Sequence, residues 1–552
     1  MHIARTQWPS KNGKVYETIW LRESYREGGK VKKRDIANLT HHPPAEVAAI
    51  EWALKHKDHL DQFVALEQIQ LKEGLSVGAV WTAYQVARRL GIEAALGGAR
   101  EGKLGLWQVL ARVLEQGSRL SAVRLAQVHA ACDVLGLREG FSENDLYDNL
   151  GWLCENQEEL ERRLFAARAD RGRPELFLYD VTSSYLEGQC NELGDYGYNR
   201  DGKRGKKQIV IGLLCDAGGD PVSTEVFRGN TQDLSTFAAQ VTKAAERFGC
   251  QGVTFVGDRG MIKRGQIEDL ARAGFHYLTA ITKAQIGALL AEGVIQMELF
   301  AEQLCEVQEE AVRYILRRNP ARAGELAASR RDKQGSVERL VEKQNAWLAE
   351  HPRAKPATAR RLVQAKIERL QIQAWLSVKG EGRRLELVVD APALAEAARL
   401  DGCYVLKTDV PVTAADTATV HERYKDLAEV EWAFRTCKSA HLEVRPVHVR
   451  TEEHTRGHVL VVMLAYRVIR ALRLAWARLD VTVEEGLEQL KTLCSQELRI
   501  KGGGACLRLP EPRDRSLALL EAAGVELPAV LPHSPARVVT HKKLPSRRRN
   551  AE

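Results

Sequence analysis

The chain has 552 residues, is 44% hydrophobic and 28% charged, and carries 81 Lys+Arg against 73 Asp+Glu, a net charge of +8. That length exceeds one ordinary domain and points to three or four, and the composition is that of a globular chain rather than a disordered or fibrous one. Ten cysteines without a CxxC pair support neither a zinc site nor a disulfide framework, and reduced thiols suit a cytoplasmic protein. MHIARTQWPS does not read as a signal peptide, and the most apolar run, 459–476, is interrupted by Arg467, Arg470 and Arg473, as in a core helix and not a membrane span.

Residues 15–40 alternate as two strands joined at Gly28-Gly29, a hairpin signal. A helical pattern follows over 45–71, then 78–90, 104–116, 122–135 and 142–167, the last opened by a Ser142/Asp145 cap. At 171 the texture changes. Strand 176–179 is expected to deliver Asp180 at its end, and the basic run NRDGKRGKK follows, with Arg200 and Lys203. Strands 208–215 and 221–227 flank a Gly218-Gly219 turn; helix 231–248, strand 253–257 with Asp258 at its end, helix 262–273 and strand 275–281 complete the set.

This β-β-β-α-β-α-β order fits a ribonuclease-H-like sheet, in which functional groups gather at strand ends. Between 282 and 400 the sheet pattern stops: short strands at 304–307 and 312–317, helices at 321–350 and 358–376 and a strand at 385–389 read as an inserted domain. Strand-like sequence resumes at 402–408. YKDLAEVEWAFRTCK (424–438) then reads as one helix, with Tyr424, Glu431 and Lys438 seven residues apart on one face. Helices 457–475 and 483–498 follow, and the rest is Pro- and Arg-rich. The tail carries Arg537, Lys542, Lys543 and the arginines at 547–549, so two basic runs point to a polyanion partner.

Two strand-end acids and one helical acid can hold two divalent cations, because hard cations take oxygen ligands and a metal pair clamps both oxygens of a phosphodiester displacement. Taken singly, Asp180 reads equally as a turn acid and Asp258 as a helix cap. Glu429 points to another side of its helix than Glu431. Asp233 belongs to a helix start, and Asp201 to the basic loop. His454 and His458 have helical spacing but no third metal ligand. Trp347 and Trp375 lie in the insertion, where core packing outweighs base stacking.

The motifs YDVTSSYLEG, YGYNRDGKRGKKQIVIGLL, EVFRGNTQD, VGDRGM, DGCYVLKTD, YKDLAEVEWAFRTCKS and LEVRPVHVRTEEHTRGH resemble the DDE transposases of bacterial insertion sequences, in the superfamily named after insertion sequence four. The resemblance spans roughly 176–466, most of the insertion excepted. It implies that Asp180, Asp258 and Glu431 are catalytic ligands of two Mg²⁺ ions, with Mn²⁺ as a substitute. Tyr424, Glu431 and Lys438 match the superfamily's Tyr-x2-Arg-x3-Glu-x6-Lys signature, whose arginine position holds Leu427 here. Arg435, one turn beyond Glu431, is a candidate phosphate contact or an intrahelical partner of Glu431, and Tyr424, Lys438, Arg200 and Lys203 are further expected nucleic-acid contacts.

The expectation is a mixed α/β, multidomain enzyme: hairpin and helix 1–72, helical domain 73–170 for DNA-end binding, catalytic core 171–283 plus 401–480, insertion 284–400 and C-terminal helices with a basic tail 481–552. Its expected partners are double-stranded DNA, at the element's ends and at the target, and a second copy in a homodimeric synaptic complex at the bacterial nucleoid. The resemblance suggests cut-and-paste through hairpin ends. The alternatives are a ribonuclease-H-like nuclease or resolvase without strand transfer, and a catalytically silent DNA-binding relative.

Overall fold

The computed structural model describes residues 1–10, 14–58, 69–168, 174–439, 441–446, 449–500, 505–534, 536 and 538–540. The basic tail from Arg537 on therefore lies outside the described residues, Val538, Val539 and Thr540 excepted. The chain divides into two compact units: 1–74 with 495–510 and 529–531, and the remainder.

In the smaller unit, the expected hairpin is present as Val15–Glu27 and Lys30–Asn38, and His2–Pro9 adds a third antiparallel strand, pairing Trp8 with Tyr16. Gly28 and Gly29 take φ of +60° and +78°, as the tight turn requires. A helix, Pro44–Lys55, buries Val47 against Ile19 and Leu39. The helical pattern expected to 71 ends there; 59–68 lie outside the described residues, and Ile69–Ser76 is a strand. That strand joins Cys494–Ile500, Ala505–Arg508 and Val530–Leu531 in a second sheet, so 494–498 is strand rather than helix. In the larger unit, helix Asp514–Ala522 stands where only irregular sequence was expected.

The larger unit holds an eight-stranded mixed sheet. In chain order its strands are β1 (Leu176–Tyr185), β2 (Gln208–Asp216), β3 (Pro221–Arg228), β4 (Thr254–Gly257), β5 (His276–Ala280), β6 (Cys305–Glu309), β7 (Val312–Arg318) and β8 (Cys403–Thr408). Their spatial order is β6-β7-β8-β5-β4-β1-β2-β3; β4 runs parallel to both β1 and β5, and every other pairing is antiparallel. Sheet structure does not stop at 282, because β6 and β7 extend the same sheet. Phe177, Tyr179 and Val181 turn one face of β1 toward Phe237, Phe255 and Leu270 in the main core. The alternating residue Asp180 is thereby placed on the other face.

Helix Leu427–Cys437 packs against β1 and buries Leu427, Val430, Ala433, Phe434 and Cys437. Behind it, Glu452–Trp476 is buried along most of its length and packs on helices Arg100–Leu114 and Glu143–Glu155 as well as on β3. Helix 119–128 ends before a separate turn of helix at Ala131–Leu135, where one helix over 122–135 was expected. Ser142 and Asp145 do form a reciprocal capping box. Between β7 and β8, helices Pro320–Glu350 and Pro356–Arg369 and the hairpin Leu376–Glu381/Arg384–Val389 bury their own core around Val337, Val363, Ile367 and Trp375.

Candidate active site

Asp180 does not end its strand. Leu176–Tyr185 continues five residues beyond it, because Val181 to Tyr185 keep their ladder with Gln208 to Gly212. The parallel neighbour β4 stops at Gly257, opposite Tyr179, so Asp180 and Asp258 are the next residues along the two chains. Asp258 opens a tight turn: its carbonyl accepts from Met261 N at 3.1 Å, and Gly260 has φ +91°. A side chain there would be strained. Asp258 Oδ1 accepts from the Arg259 amide at 2.6 Å and from the Tyr424 hydroxyl at 3.4 Å.

The segment 424–438 is two helices rather than one. Thr417–Lys425 and Leu427–Cys437 meet at Asp426, and Lys438 caps the second. Tyr424 therefore belongs to the first helix and Glu431 to the second. Asp180, Asp258, Tyr424 and Glu431 nevertheless line one open cavity of ≈ 660 Å³, with Leu427 in its wall. Arg259, Lys283, Arg317, Arg322 and Lys425 supply five cations around the three acids.

Electrostatics tie the acids together. Burial pushes the Asp180 carboxyl up to about 7, and the Asp258 and Glu431 carboxylates push in the same direction, against the lowering effect of its hydrogen bond to Val181 N. Burial and the adjacent Asp258 charge likewise raise the Tyr424 phenol, so it remains a hydrogen-bond donor. Glu431 is exposed and pairs with Arg435 at 3.5 Å, the intrahelical contact expected of that spacing. Among the described residues, no three His, Cys, Asp or Glu side chains are grouped so as to hold a metal ion in their present positions. The donor set still fits a hard cation: three carboxylates face one cavity, and the raised pKa of one of them is what a bound cation would lower again.

The other expected DNA contacts are placed as follows. Lys438 Nζ forms an ion pair with Asp201 Oδ1 at 2.6 Å, and the other oxygen of Asp201 accepts from Tyr185 N, so Asp201 braces the basic loop. Arg200 pairs with Asp233 at 2.6 Å and lies over the Tyr198 ring. Lys203 lies over the Tyr185 ring at 5.7 Å. These three cations are brought to the loop above β1, and none of them lines the cavity. Glu429 turns away toward Gly219. His458 is buried against the Val444 carbonyl, Trp375 is core, and Trp347 stacks on His351.

Sequence reasoning missed Lys283, which opens the helix after β5, and Arg317 and Arg322, which reach the cavity through the pairing of β7 with β8. Arg259 stood next to Asp258 in VGDRGM, and its adjacency was the available signal.

Residues 171–468 match the Transposase DDE domain family, and residues 4–67 match the N-terminal domain of the IS1634 family of transposases. The second match names IS1634 where the sequence alone pointed to the superfamily of insertion sequence four. Among solved structures, the chain is similar to the piggyBac transposase in its synaptic complex with hairpin DNA, at 9% identity and a TM-score of 0.33, covering 81% of this chain and 75% of that one. No curated protein matches. With more than half its length matched to that domain family, the chain belongs to the DDE transposases of bacterial insertion sequences, enzymes that cut and transfer DNA.

Proposed function

We propose that this transposase cuts the ends of its insertion sequence and joins them to target DNA by two-metal phosphoryl transfer, with Asp180, Asp258 and Glu431 as the catalytic carboxylates. One observation carries the reading. Acids from a strand, a strand end and a distant helix converge on one cavity, and burial together with the other two carboxylates raises the pKa of one of them. The order β3-β2-β1-β4-β5 supports reading this part of the sheet as a ribonuclease-H-like core, with the helical segment between β7 and β8 inserted in it.

Bound Mg²⁺, or Mn²⁺ in its place, would stabilise charge on the attacking and leaving oxygens of an in-line displacement. The protein's part is to prepare the ligands. Asp180 gives up its proton, Tyr424 holds Asp258 through its hydroxyl, and Glu431 exchanges Arg435 for the cation. Arg435 is then free for a phosphate, in the region where Leu427 leaves the signature arginine absent. Lys438, Arg200 and Lys203 bind the strand flanking the cut, and the region before 171 recognises the ends.

In the first step water attacks phosphorus, and the 3′ oxygen leaves with a proton as a free 3′-OH. In the second, that hydroxyl attacks a target phosphodiester and displaces the target's own 3′ oxygen. Joining two ends calls for a homodimeric synapse on double-stranded DNA, at the nucleoid in the cytoplasm. A plasmid assay with paired element ends tests the reading. Strand-transfer products in Mg²⁺ are expected, whereas nicks without joined products would support a nuclease that lacks strand transfer.

A further inference from the structure

A second cavity lies away from the three acids, between the helical region and the segment that follows the catalytic helix. Its walls include Arg112, Ser118, Arg119, Glu443, Arg445 and His458. At ≈ 80 Å³ it is several times the roughly 10–15 Å³ that one buried water needs, which is room for a tetrahedral oxyanion.

Its charges do not balance. Arg112 and Arg119 are each 5% exposed. Glu443, the acid in the wall, is already engaged by Arg445 at 2.9 Å. Among the described residues, the hydrogen-bond partners of Arg112 and Arg119 are neutral. Arg112 donates to the Leu442 carbonyl at 3.3 Å and to the Gly117 carbonyl at 2.8 Å. Arg119 donates to Gln108 Oε1 and lies 3.4 Å from His458 Nδ1. Burial pushes Arg112 down to about 10 despite the nearby Glu443 charge, which raises it; burial and the Arg112 charge push Arg119 down to about 9. Burial and the same two cations hold the His458 imidazole well below its usual range, so it adds no charge.

Burying two guanidinium ions against neutral acceptors is unfavourable, because neither gains an opposite charge in exchange for its lost hydration. A fold that carries such a pair beside a void of this size holds a place for a negative charge. The wall is also strained where it meets the pair: Glu443 adopts φ +43°, a left-handed conformation that non-glycine residues rarely take and that clusters at ligand clamps.

We propose that Arg112 and Arg119 form a phosphate-binding site that ties the helical region to the segment following the catalytic helix. Guanidinium forks match phosphate oxygens, and Ser118 and Arg119 bring the N-terminal end of helix Arg119–Val128 to the same cavity. The phosphate group comes from inorganic phosphate or from the DNA backbone. The site exists whether or not the three carboxylates are catalytic.

The test uses the full-length protein without divalent metal. Its Tm is measured in potassium phosphate and in potassium chloride at matched pH and ionic strength, with and without a random-sequence DNA duplex. Phosphate is expected to raise Tm by roughly 2–5 °C over chloride, and Arg119→Gln to abolish that increment. If the site takes a backbone phosphate, the duplex removes the increment and Arg119→Gln flattens the salt dependence of duplex binding by about one unit of slope. If it takes the free anion, the two stabilisations add and the slope is unchanged. Should Arg119→Gln fail to fold, Arg112→Gln and the wild-type comparison still decide. Equal Tm in phosphate and chloride, together with an unchanged salt slope in the variant, overturns the proposal.

Discussion

Asp180 is the residue at which burial, charge and pH meet. Its folded pKa of about 7 lies above the unfolded value of 3.8, so the native state holds a proton that the unfolded chain releases. Stability without metal therefore falls as pH rises from about 4 to about 7, and is flat on either side. Asp180→Asn removes the titration: in metal-free buffer its Tm should gain on the wild type by on the order of 3 °C between pH 5 and pH 8. Parallel Tm–pH curves would show that Asp180 is not forced to keep its proton. The cations beside the acids sort in a similar way. Lys438→Ala and Arg435→Ala should each flatten the salt dependence of end binding by about one unit if the side chain touches a phosphate. An unchanged slope with altered metal response in Arg435→Ala would confine Arg435 to its pair with Glu431, 3.5 Å away.

At the scale of elements, the helix Leu427–Cys437 is held from beneath by the turn between β2 and β3. Gly219 has φ +77°, and a Cβ there would stand 2.5 Å from Glu429 Cβ. Asp220 in the same turn is buried against Arg467 at 3.0 Å and Arg168 at 3.0 Å. Gly219→Ala should push helix Leu427–Cys437 off its seat and cost about 1–3 kcal/mol in urea unfolding, with a loss of cleavage larger than the loss of stability explains. Normal cleavage in that variant would mean that the turn does not position Glu431.

The sequence made the strands of the sheet legible where β-branched and aromatic residues alternate, and Asp258 where a short apolar run meets Arg-Gly. It hid the continuation of β1, because Thr182, Ser183 and Ser184 read as a turn until β2 supplies their hydrogen-bond partners. It also hid the break at Asp426, where helical spacing persists across the joint, and the strand Cys494–Ile500, whose neighbour in the sheet is Ile69–Ser76. Pairings between distant segments leave no local period.

At the scale of the whole molecule, the two units suggest a division of labour. The strand Lys30–Asn38 is almost wholly exposed; its Lys32 pairs with Glu27 and its Arg34 with Glu23, each at 2.7 Å, and Lys30 and Lys33 are the cations offered to a DNA backbone. The double change Lys30→Ala and Lys33→Ala should weaken end binding and lower its salt slope by about two units, while cleavage of pre-bound ends continues. Unchanged binding would move end recognition elsewhere. Deleting everything before 171 is a poor test, because helix Glu452–Trp476 packs on Arg100–Leu114 and Glu143–Glu155 and would lose that cover.

The most direct test of the convergence of Asp180, Asp258 and Glu431 compares binding with single-turnover cleavage of end DNA in Mg²⁺ for Asp180→Asn, Asp258→Asn and Glu431→Gln. Each variant is predicted to bind within about threefold of wild type and to cleave at least about 10³-fold more slowly, because the carboxylates act on the transition state while affinity rests on phosphate contacts. Parallel losses of binding and cleavage, or cleavage within tenfold of wild type in any one of the three, would contradict the assignment.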